Sequence, residues 1–555
     1  MIKFLKRLTV FVFVAALFAG CNNEKPTGES QKTDDVQYVL ADSNYYFDFY
    51  APFELKSDIS KLTDNQKEVL RLMFKAAKIM DDIFWKEAYG DKDAFLSKIK
   101  GEKLKLFASI NYGPWDRLNG NKPYLKGFGE KPAGANFYPQ DMTKEEFEAL
   151  PDSSKKSLYT VIVRDSTGLL KVVWYHEYFK KEIQEAAALL KKAAGYADNE
   201  GLKKYLNLRA EALLTDDYRK SDIAWMDMKT SDIDFVIGPI ENYEDHLFSY
   251  KAAHESFILL KDKEWSKKLE KFTKFLPQMQ KELPVEPKYK QETPGQDVDL
   301  NAYDVVYYAG DCNAGSKTIA INLPNDPVVQ LNKGSRKLQL KNAMKAKFDH
   351  ILVPISNALI AQDQHQYISF DAFFSNTMFH EVAHGMGIKN VIGKKGLTCR
   401  IALKDVFSSL EEGKADILGL YLVTKLNKMG ELTNDLRENY VTFMASIFRS
   451  IRFGVASAHG RANMIRFNFF LERGAFARND DGTYSVNFDK MKQASKELTQ
   501  VILKLQGDGN YEAAKAFVDK YSVVGEQLQS DLDRLDKENI PKDIYFKQGP
   551  QVLGL

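Results

Sequence analysis

His380-Glu381-Val382-Ala383-His384 and Ser408-Ser-Leu-Glu411-Glu412-Gly-Lys-Ala-Asp416 read as two helical segments that share one metal ion. The first run is H-E-x-x-H. Residues four apart on a helix lie on one face, so His380 and His384 can each turn a ring nitrogen to the same ion. Glu381 stands one step round, within reach of a water on that ion. A hydrolytic zinc site takes three protein ligands and keeps a fourth position for water. A further ligand is therefore expected downstream, from Glu411 or Glu412. Adjacent helix residues point about 100° apart, so only one of the two faces the metal squarely. Asp416, four residues after Glu412, falls on the same face and is placed to accept the second ring N–H of a ligand histidine. The bland alternatives are a buried helix with two chance histidines and a solvated Glu-Glu-x-Lys face. With only eight histidines in the chain, a chance H-E-x-x-H followed by an acidic helix is the poorer account.

Helical periodicity surrounds this motif. It dominates from Lys341 to about Leu535, with Pro541 marking a late break. Strand signals lie before it. Tyr159–Arg164 and Leu169–Trp174 flank Asp165-Ser-Thr-Gly168 as a hairpin, and Asp234–Gly238, Val305–Tyr308 and Thr318–Asn322 read as strands. Leu62–Tyr89, Glu177–Ala197 and Gly201–Leu214 carry helical spacing. Pro284–Pro294, with three prolines, reads as an exposed connection. The expected fold class is α+β in two lobes with a cleft between them. A mixed α/β lobe takes 38–340, a mostly helical metal-binding lobe 341–537, and a return segment 538–555. A peptide in the cleft is placed to join an exposed sheet edge of the mixed lobe as an added strand.

A chain of 555 residues is too long for one simple core, which agrees with two or three lobes. Basic and acidic residues number 78 and 76, a net charge of +2. No strong field favours nucleic acid, and no nucleic-acid partner is expected. At the N-terminus, Lys3, Lys6 and Arg7 precede the apolar stretch Leu8–Phe18, too short for a usual membrane span, and then Ala19-Gly20-Cys21. This resembles a bacterial lipoprotein signal; an ordinary secretory signal is the alternative. The expectation is a signal peptide over 1–20, lipid on Cys21, a polar tether over 21–37, and an exported, membrane-anchored protein of the periplasm or cell surface. Cys312 and Cys399 remain; they lack C-x-x-C spacing and are not counted as ligands, and a disulfide between them is left open.

Taken with three further stretches, the two metal segments resemble the dipeptidyl peptidase III family of zinc peptidases. Ile237-Gly-Pro-Ile-Glu241-Asn-Tyr243 is similar to a family segment whose Glu and Tyr face the substrate. Ile321-Asn322-Leu-Pro-Asn325 is similar to a run that holds the peptide N-terminus. His459-Gly-Arg-Ala resembles a segment whose His contacts the scissile region. These stretches keep the family's order over roughly residues 230–475. The family's usual motif has one more residue between the histidines, H-E-x-x-G-H. The resemblance implies one Zn²⁺ per chain held by His380, His384 and Glu412, with Glu411 and Asp416 supporting the ligands. It also implies Glu381 as the residue that activates water, Tyr243 and His459 as donors to the scissile carbonyl, and Glu241, Asn322 and Asn325 as the ammonium-holding group. The activity implied is a zinc-dependent exopeptidase that releases dipeptides from a peptide substrate. A zinc endopeptidase or single-residue aminopeptidase, and a lipid-anchored peptide-binding protein with a structural zinc, are the rivals. His176, His246, His254, His350 and His365 are expected to be structural or solvent-exposed.

Overall fold

The structure, a computed structural model, describes residues 37–294, 298–455 and 457–555. The expected signal peptide, Cys21 and residues 22–36 of the expected tether lie outside them. The helix read at Leu62–Tyr89 is α1 (Asp64–Ala88). Thr63 and Gln66 cap it reciprocally, and Val69, Leu70, Met73, Ala76, Met80 and Phe84 form part of its buried face. That face packs on a five-stranded sheet of β2 (Ile233–Glu241), β3 (Ala253–Asp262), β4 (Val298–Gly310), β5 (Ala320–Leu323) and β6 (Ser335–Leu340). The spatial order is β2-β3-β4-β6-β5. β6 runs parallel to β4 and all other neighbours are antiparallel. β5 therefore ends the sheet with one edge bonded to β6 and, among the described residues, no strand on the other. Helices Lys180–Tyr196 and Glu200–Thr215 complete this lobe around a first hydrophobic core.

A second core fills the helical lobe. Its central members are α2 (Phe370–Ala383), α3 (Phe407–Lys428), α4 (Ala458–Glu472) and α5 (Phe488–Asp508). Met378, Leu410, Leu418, Met464 and Leu498 meet there. α2 and α3 cross so closely at Gly419 that a Cβ on it would stand 2.8 Å from His380 N; only glycine allows that approach. The fold is thus α+β in two lobes.

The cores do not divide at residue 340. Trp265 and Phe272, on helix Lys263–Thr273, pack their rings on Phe374 and Phe379 of α2, so this helix joins the helical lobe. The connection at Pro284–Pro294 is also less exposed than its charges suggest. Tyr289 is buried and donates to Asp508 at 2.7 Å. At the C-terminus, β7 (Asp543–Lys547), absent from the sequence reading, pairs in parallel with β1 (Tyr50–Glu54). Cys312 and Cys399 are free thiols in different cores. Among the described residues no helix is long and apolar enough to cross a membrane.

Candidate metal centre and substrate cavity

Ser369 caps α2 through Ala372 N, and the helix carries His380 and His384 to its C-terminal end. His380 donates through Nδ1 to Asp416 Oδ1 at 2.8 Å. His384 donates through Nδ1 to Glu411 Oε1 at 3.0 Å. A neutral imidazole with its proton on Nδ1 has a lone pair on Nε2. The two Nε2 atoms face one another at 3.2 Å. Glu412 Oε2 lies 3.4 Å from the first and 3.7 Å from the second. Ligand atoms about 2.0–2.1 Å from a tetrahedral ion are about 3.3–3.4 Å apart. Three electron-rich atoms at these separations repel one another unless a cation lies between them. Glu412 Oε2 is buried and, among the described residues, makes no hydrogen bond of acceptable geometry. Two imidazoles and a carboxylate fit zinc.

His459, on α4, brings a third imidazole: its Nε2 is 3.1 Å from Glu412 Oε2. His380, Glu412 and His459 thus also form a cluster of metal-ligand type. The two candidate sets differ in support. His384 is oriented by Glu411, whereas the His459 side chain is 66% exposed. Ligand histidines are normally fixed by a partner on the second ring nitrogen, which favours His384.

The supporting carboxylates are themselves held. Arg466 of α4, buried, pairs with Asp416. Lys414 Nζ reaches Glu411 Oε1 at 2.8 Å, and Gln506 of α5 donates to Glu411 Oε2 at 3.0 Å. Burial pushes the Glu411 carboxyl up, but the His384 hydrogen bond and the Lys414 ammonium outweigh it and hold it at about 2. For Glu412, burial is likewise outweighed by His380 and His459, and the carboxyl lies well below its usual range.

The metal donors and the expected ammonium-holding residues line one cavity of about 770 Å³. The helical lobe supplies His380, Glu381, His384, Glu412 and His459. The sheet lobe supplies Glu241 at the end of β2, Tyr243, Asn322 of β5, and Asn325. Asn325 donates to Ile240 O at 3.1 Å. Burial raises the Glu241 carboxyl, opposed by hydrogen bonds from Asn325 and Tyr243. The Glu241 charge and burial push the Tyr243 phenol up to about 12. Tyr243 is 70% exposed.

Several cavity residues were not anticipated, Arg117 and Glu244 among them. Glu255 of β3 is 4% exposed, and burial drives its carboxyl well above the usual range. Burial and Glu244 raise Asp311 to about 7. His246, expected to be structural or exposed, also lines the cavity. The register explains Glu255 and Asp311: Glu255 pairs with Gly310, next to Asp311. Gly310 has φ +73°, and a Cβ there would stand 2.1 Å from His254 O. Of the remaining histidines, His254 is fully buried and bonds Glu87 Oε1 at 2.7 Å, and His176 bonds Asp216 Oδ2 at 2.7 Å.

Comparison with known proteins agrees with this picture. A model of peptidase family M49 matches residues 140–391. The structure of DPP III from Caldithrix abyssi superposes with a TM-score of 0.86 at 41% identity, covering 90% of this chain and 98% of that one. Dipeptidyl-peptidase III from Corallococcus sp. strain EGB gives 0.75 at 38% identity, covering 90% and 95%. Nudix hydrolase 3 of Arabidopsis thaliana is 35% identical over 560 residues, 89% of this chain and 72% of that protein. The donor geometry, the family M49 match and the two dipeptidyl peptidase III structures converge on a metallopeptidase. Within that class the chain belongs to peptidase family M49, the dipeptidyl peptidase III family.

Proposed function

We propose that this chain is a zinc-dependent exopeptidase that takes a peptide by its free N-terminus and releases dipeptides. The carrying observation is the shared cavity, with metal donors on one wall and the Glu241 cluster on the other. His380, His384 and Glu412 are the residues that would hold the zinc ion. When bound, zinc supplies Lewis acidity to a water and to a carbonyl oxygen.

Glu381, which lines the same cavity as the donors, is the general base: its carboxylate takes a proton from the attacking water and returns it to the leaving amine. Tyr243 and His459 donate to the carbonyl oxygen as it gains negative charge. Glu241, Asn322 and Asn325 hold the substrate ammonium group. The free edge of β5, which carries Asn322, accepts an extended peptide backbone as a further strand.

The direct test is turnover of a defined peptide by metal-loaded and chelated enzyme, with products identified by mass. Dipeptides from the N-terminus, lost on chelation and restored by Zn²⁺, are the expected result. Internal fragments point to the endopeptidase and single residues to an aminopeptidase. Turnover that survives complete metal removal would refute the zinc assignment.

For location, we propose lipid attachment at Cys21 and export to the periplasm or cell surface, on the strength of the N-terminal pattern. Mass analysis of the mature N-terminus checks it. A lipid increment on Cys21 is expected, and an unmodified, wholly soluble mature chain contradicts it.

A further inference from the structure

α2 ends just beyond Glu381, and its last turn tightens. Gly385 N–H bonds Val382 O at 3.0 Å, three residues back, instead of Glu381 O, four back. The Glu381 carbonyl is thus one of the acceptors that a helix C-terminus leaves over. Lys337 reaches it from the sheet lobe. Its Nζ donates to Glu381 O at 2.6 Å and stands 3.8 Å from Glu381 Oε2. The two side chains are 13% and 22% exposed, so water screens the pair less than it does a surface ion pair. A cation at a helix C-terminus also complements the helix dipole.

The position of Lys337 in the sheet matters as much as the contact. On β6 it lies directly opposite Asn322 of β5, and cross-strand partners share a face. Its neighbour Arg336 turns the other way, to Asp234 at 2.6 Å and Tyr303 at 2.8 Å, as strand alternation requires. The strand pair that presents a free edge to the cavity therefore also carries the ammonium group that touches Glu381. On that same face, two residues on, Gln339 is fully buried, and neither of its amide atoms has a hydrogen-bond partner among the described residues.

We propose that Lys337 is a positioning residue: it fixes the backbone and carboxylate of Glu381 from across the lobe boundary, linking the peptide-binding strands to the general base. The proposal rests on Glu381 as that base.

The test uses the full, zinc-loaded chain. Lys337→Met should lower kcat about 10–100-fold, the range of a charge-assisted hydrogen bond, with KM within about 3-fold of wild type. Zinc content should be unchanged, and Lys337→Arg should restore most of the loss. In a Glu381→Gln background, Lys337→Met should cost nothing further, because the residue it positions is gone. Wild-type kcat in Lys337→Met, or the same fold-loss on both backgrounds, overturns the proposal. If Lys337→Met does not fold, Lys337→Gln, which keeps a donor but no charge, is read by the same criteria. The underlying assignment fails separately: wild-type turnover in Glu381→Gln removes the base itself, whereas loss there with full activity in Lys337→Met removes only the link.

Discussion

On the helical side of the cavity, donors are backed by charged partners. Asp416 holds His380 and is held by Arg466; Glu411 holds His384 and is held by Lys414. On the sheet side the backing is uneven: Glu244 is held by Arg117 at 2.7 Å and Lys131 at 2.5 Å, but two other cavity carboxylates have no such partner among the described residues. Among the described residues, Glu241 and Glu255 make no ion pair, and burial raises both carboxyls. The difference is one of timing. The helical wall is organised for a cation that stays, and rigid support keeps its donors converged. The sheet wall keeps Glu241 and Glu255 short of positive charge, and on the proposed function an arriving ammonium group would supply it.

The largest effect should follow from removing a donor on the supported side. His384→Ala should abolish stoichiometric zinc at trace metal levels and, with it, peptide turnover. Full zinc in this variant would show that His380, Glu412 and His459 are the working set instead. Removing support should cost less than removing a ligand. Asp416→Ala should weaken zinc affinity by about 10–100-fold, measured by competition with a chelator. Unchanged affinity would mean that the hydrogen bond to His380 does not orient the ring.

The unsupported side should show itself in pH dependence. Asp311 is raised from 3.8 to about 7, so folding disfavours its ionised form. The native state then loses stability relative to the unfolded chain as pH rises from about 4 to about 7, and the loss levels off above that. Asp311→Asn removes this term. The Tm of the variant relative to wild type should therefore climb between pH 4 and 7 and flatten beyond. Parallel Tm curves would place the Asp311 carboxyl in an ordinary environment.

Legibility in the sequence followed the same division. His380, His384 and Asp416 were readable because helical contacts are local: four-residue spacing brings side chains to one face. The choice between Glu411 and Glu412 was not readable from spacing and came from family resemblance, as did Glu241, Asn322 and Asn325. Glu255, Asp311 and Lys337 were not found at all. Their neighbours are set by strand register, Glu255 opposite Gly310 and Lys337 opposite Asn322, and no short pattern records which strands pair. The same limit explains β7, whose partner β1 lies at the other end of the described chain. Helix Lys263–Thr273 was not read in the sequence, and the expected boundary at 340 left its residues with the mixed lobe, because position along the chain does not tell which core covers an apolar face.

The division of labour between the walls is tested most directly by kinetics on matched free and N-acetylated peptides, with wild type and Glu241→Ala compared and products identified by mass. A free N-terminus carries positive charge near neutral pH, and acetylation removes it. Wild-type enzyme should cleave the free peptide far better than the acetylated one. Glu241→Ala should lower kcat/KM for the free peptide by about 10–100-fold, the worth of a charged hydrogen bond, and barely change it for the acetylated one. Equal kcat/KM for the two peptides in wild type, or equal losses in the variant, would contradict the account.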